Sequence, residues 1–65
     1  MTRKDYELIA EVLRNSNEII DEISMAFLID NFAKELVLEN PRFDRDRFAN
    51  ACGMTPTELT YILTH

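Results

Sequence analysis

Sixty-five residues with 46% hydrophobic side chains, one Gly, two Pro and a net charge of −5 describe one small globular domain and exclude a disordered chain. Cys52 is the only cysteine and His65 the only histidine, too few for a disulfide framework or a structural zinc site, so no cofactor or metal is expected. No apolar run approaches the roughly 20 residues that span a bilayer, and one thiol without a signal-peptide pattern predicts a soluble protein in a reducing, cytoplasmic compartment.

The first helix is expected over 2–14. Thr2 can cap it, with Asp5 three residues on. Tyr6, Ile9, Ala10 and Leu13 recur at helical spacing, Leu8 and Val12 widen that stripe, and Arg3, Lys4, Glu7, Glu11 and Arg14 form the opposite face. Asn15-Ser16-Asn17 breaks the pattern, because these side chains compete for backbone hydrogen bonds.

A second, longer helix is expected over 18–39, ended by Asn40-Pro41. Its first turns hold Glu18, Asp21 and Glu22, where negative charge suits the helix dipole. Met25, Ala26, Leu28, Ile29, Phe32, Ala33, Leu36 and Val37 fill a broad main face, and Ile20, Phe27 and Leu38 make a narrower stripe among polar residues. A three-helix monomer readily buries the first face. The stripe needs cover from the last helix or from another molecule, which makes it the candidate partner-binding surface.

The remaining third reads as two short helices, 44–52 and 55–64. Asp44 caps the first, with Phe43 and Phe48 at hydrophobic-staple spacing. Gly53 stands where a helix ends in a left-handed residue. Thr55-Pro56-Thr57-Glu58 opens the second with cap, N1 proline and capping-box glutamate, and Met54 and Leu59 can staple it. The fold class is therefore all-α, a bundle of about four helices in one domain over 1–65, with 18–39 as its central pillar and a helix-turn-helix-like hairpin at the end.

Catalysis finds little support. Cys52, beside Ala49 and Met54, fits a small buried apolar residue better than a nucleophile, and His65 is expected to fray. No glycine-rich phosphate loop exists. The chain is read as a non-enzyme.

The 44–64 hairpin admits a DNA-binding reading, with Arg42, Arg45 and Arg47 on phosphates and Thr57 and Tyr61 at the start of the second helix. Charge argues against it: the would-be recognition helix holds Glu58 and no Lys or Arg, and Asp44 and Asp46 interrupt the arginines. The net charge lies wholly in 18–39, where six carboxylates face Lys34, and this raises mimicry of nucleic acid as a third reading. Dipole placement and a solvated face explain the same acids.

Met1-Thr2-Arg3-Lys4-Asp5-Tyr6-Glu7-Leu8-Ile9-Ala10 resembles the opening of a group of small phage- and prophage-encoded proteins. Asn40-Pro41-Arg42-Phe43-Asp44-Arg45-Asp46-Arg47-Phe48, followed by Ala51-Cys52-Gly53, is similar to that group's second signature. Asn15–Ile23 and the tail after Gly53 depart from it. The resemblance implies an origin in an infected or lysogenic bacterial cell, and no activity. The expected function is protein–protein interaction with a host macromolecule, with a homodimer as a further form.

Overall fold

In the computed structural model, which describes residues 2–65, four helices follow one another: α1 Arg3–Asn15, α2 Glu22–Glu39, α3 Arg45–Ala51 and α4 Pro56–Thr64. Met1, which opens the first phage-like segment, lies outside the described residues. No strand occurs among the described residues, and the chain forms an all-α bundle. No described helix is long and apolar enough to cross a membrane.

Each helix starts where a short polar side chain can take up an orphan backbone donor. At α1 the Thr2 N–H donates to Asp5 Oδ2 at 2.8 Å, the backward half of a capping box. Asp44 accepts from the Arg47 N–H at 3.0 Å. At α4 the Glu58 N–H donates to Thr55 Oγ1, whose hydroxyl donates to Glu58 Oε1, both at 3.1 Å, so the threonine caps the helix and the glutamate holds the cap side chain. Between α3 and α4, Gly53 takes φ +93°, the Met54 N–H donates to the Ala49 carbonyl, and the Gly53 N–H donates to that of Asn50. This is a Schellman ending.

The long helix departs from expectation at its start. It begins at Glu22, not at residue 18, and Asp21 is its N-cap, accepting from the Ser24 N–H at 3.1 Å. Glu18 therefore lies outside the helix. The Ile19 and Ile20 N–H groups both donate to the Ser16 carbonyl, so 16–20 forms a tight turn. A local cap and a local turn together outcompete another helical turn. That turn points Ile19 outward and lays Ile20, half-buried, against the core.

The core joins Ala10 and Leu13 of α1 to Met25, Ala26, Ile29 and Leu36 of α2, Phe48 and Ala49 of α3, Cys52, Met54, and Leu59 of α4. Ala26 and Ala49 are fully buried, and their small side chains let the helices approach closely. α2 is not the sole pillar. The seven-residue α3 packs against all three other helices, and α1 meets the bundle chiefly through α3. That docking turns Leu8 and Val12, expected to widen the buried stripe, out to solvent. Val37, expected on the main face, is also exposed, while Leu28 and Phe32 are half-buried at its edge.

Candidate interaction surfaces

Because α1 lies on α3 and α4 packs over the inner side of α2, no described helix packs over the outer side of α2. Phe27 is 50% exposed and Leu38 78%. The third residue of the expected stripe, Ile20, is half-buried in the turn before the helix. Its place on the outer side is taken by Ile23, 60% exposed and four residues before Phe27. Ile23 carried a signal in the sequence, its i, i+4 spacing to Phe27. Lys34 lies between Phe27 and Leu38 on the same side.

Under this strip sits a charge cluster that the sequence reading did not anticipate. Asp30, nearly buried, accepts from Lys34 Nζ at 2.8 Å and from Arg45 Nη2 at 3.0 Å. The two cations are four residues and fifteen residues away, and only the docking of α3 on α2 brings the second in. Its clue was an acid on an otherwise apolar face, which must be paired to be buried.

A second surface is the cleft of about 250 Å³ between α1 and the start of α3. Its wall is aromatic: Tyr6 meets Phe43 edge-on at 4.9 Å between ring centres, and Phe43 meets Phe48 at 5.4 Å. The Phe43–Phe48 contact is the expected staple. Asn40 Nδ2 donates to Tyr6 Oη at 3.3 Å and ties the end of α2 to this wall. Arg3, Arg42 and Arg47 stand on the rim. Arg3 is paired with Glu7 at 3.2 Å, whereas Arg42 and Arg47 have no ion pair among the described residues.

The residues of the DNA-binding reading do not converge. Arg42 and Arg47 line the α1–α3 cleft, and Arg45 is held by Asp30. Thr57 and Tyr61 share a separate α3–α4 surface with Asp46. His65, expected to fray, stacks on Tyr61 at 4.2 Å between ring centres, with Nδ1 2.8 Å from the Tyr61 carbonyl oxygen.

Cys52 is buried at the C-cap of α3, and burial pushes its thiol up to about 11. A thiol held protonated in this way is a packing group at neutral pH. No group of three or more potential metal ligands converges among the described residues. Compared with known proteins, the chain matches no family model, no curated protein and no solved structure. The described residues thus form a small all-α bundle with apolar side chains open on α1 and on the outer side of α2.

Proposed function

We propose that this chain is a non-enzymatic interaction protein of the phage type, which binds protein through the open side of α2 in the cytoplasm of a bacterial host. One observation carries the reading: Ile23, Phe27 and Leu38 stay largely exposed on one side of a helix whose other side builds the core. Large apolar side chains lined up along a helix, flanked by polar residues, suit a partner helix laid alongside. The test compares capture from host lysate by the tagged protein and by Phe27→Asp, with helicity checked by circular dichroism. Loss of a captured protein in the folded variant is expected; identical capture would sink the reading.

A second reading rests on Arg42 and Arg47, which line a cleft and have no ion pair among the described residues of an acidic chain. It makes them contacts for a phosphate backbone, the remnant of the DNA-binding expectation. Retention on heparin that falls steeply with salt and disappears in Arg42→Ala/Arg47→Ala supports it. Salt-independent passage through the column removes it.

A further inference from the structure

The cleft between α1 and the start of α3 combines an aromatic wall with hydrogen-bond donors that have nothing to donate to. Phe48 is buried at its base, while Tyr6 and Phe43 are half-buried and keep ring surface open to it. The Tyr6 hydroxyl accepts from Asn40 Nδ2 at 3.3 Å, and its own proton has no acceptor among the described residues. On the rim, the guanidinium groups of Arg42 and Arg47 have no ion pair among the described residues. Their backbones are fixed all the same. The Arg42 N–H donates to Asn40 Oδ1 at 3.1 Å, and the Arg47 N–H donates to Asp44 Oδ1 at 3.0 Å. Anchored stems of this kind lower the ordering cost of binding. Of the two carboxylates in the lining, Glu7 is paired with Arg3 and Asp44 caps α3, so what the cleft offers a ligand is cationic in a chain of −5.

We propose that this cleft is a second binding site, for an acidic segment of another protein. The segment seats one large apolar side chain against the aromatic wall and sets its carboxylates on Arg42 and Arg47. Guanidinium forks match carboxylates in shape as well as charge, and the Tyr6 proton adds a donor at the wall. Volume limits the anchor: about 250 Å³ falls below the roughly 300–1,000 Å³ of pockets that enclose drug-sized molecules. The cleft suits a single side chain, with the rest of the segment outside on the arginine rim.

Charge separates this ligand from a nucleic acid. A phosphate backbone needs a row of cations, but Arg45 is committed to Asp30 and Asp46 follows it in the chain. An acidic peptide meets the same overall repulsion from −5, yet it brings an apolar anchor whose burial offsets it. The proposal thus takes the two arginines of the nucleic-acid reading for a different ligand. It shares no residue with the open side of α2, so the two surfaces stand or fall separately.

The test is fluorescence polarisation of the whole chain with a labelled probe peptide, one tryptophan flanked by glutamates. Saturable binding at one site per chain is expected, with a dissociation constant on the order of 100 µM because the arginines are exposed. Probes with alanine for the tryptophan, or glutamines for the glutamates, should each bind about tenfold more weakly. Arg42→Ala and Arg47→Ala should each weaken the parent probe about fivefold with unchanged helicity. Lys4→Ala removes the same charge from an exposed position outside the cleft and should alter binding by less than about twofold. No saturable binding up to about 1 mM probe overturns the proposal. So does a glutamine probe that binds as well as the glutamate one, or a loss in Lys4→Ala equal to that in the arginine variants. Tighter binding of a labelled single-stranded DNA than of the peptide, abolished in Arg42→Ala/Arg47→Ala, also overturns it and gives the arginines to the nucleic-acid reading.

Discussion

Cys52 and Asp30 are the two residues whose ionisable groups the fold takes out of water, and it treats them differently. Cys52 is desolvated without a partner, so its neutral form is favoured and its thiol is pushed up from 9.0 to about 11. The unfolded thiol releases its proton at the lower value and the folded one at the higher. Its linked stability is therefore intact below pH 9.0 and lost as pH rises towards about 11. Thermal melts across this window should show a decline that Cys52→Ala flattens. Asp30 is instead accommodated by two cations, and removing it leaves both without their acceptor. Lys34 and Arg45 are partly exposed and recover hydration, which discounts the loss. Asp30→Ala should cost about 1–2 kcal/mol in urea unfolding, and Asp30→Asn, which keeps an acceptor for Arg45, less.

Among the elements, the α3–turn–α4 unit depends most on one backbone conformation. Gly53 adopts φ +93°, and a Cβ there would meet only Arg14 Cγ at 3.6 Å, an ordinary contact. The penalty of Gly53→Ala is thus conformational and not steric crowding, about 1–2 kcal/mol. The variant should lower the melting temperature by several degrees without changing the helical spectrum, because the caps at Asp44 and Thr55 remain. Helix α1 depends on docking more than on its own cap. It reaches the core through Ala10 and Leu13 and meets the segment before α3 through the Tyr6–Phe43 contact.

As a whole molecule the chain has little stability to spare. At roughly 0.05–0.15 kcal/mol per residue, a domain of this length holds roughly 3–10 kcal/mol. Ile29 is wholly buried at the centre of the core, and truncating such a side chain costs about 2–5 kcal/mol. Ile29→Ala should therefore be largely unfolded or close to it, seen as loss of the cooperative thermal transition.

Four helices, the caps at Thr2, Asp44 and Thr55, the left-handed Gly53 and the Phe43–Phe48 staple were all legible in the residue order, because each depends on groups within about five positions of one another. The start of α2 was misread by four residues for the same local reason, the Asp21 cap having been taken for a first-turn acid. The pattern placed Phe27 and Leu38 off the main face, but it did not decide that they stayed exposed or that Ile23 took the place of Ile20 on that side. Packing alone decided which helix α1 would lie against, and so that Leu8 and Val12 as well as the outer side of α2 stayed open. A stripe of apolar residues states how much surface a helix must hide; the competition among neighbours for the shared core determines which part of it remains uncovered. The pairing of Arg45 with Asp30 belongs to the same order of cause, since it requires α3 to have docked on α2 first.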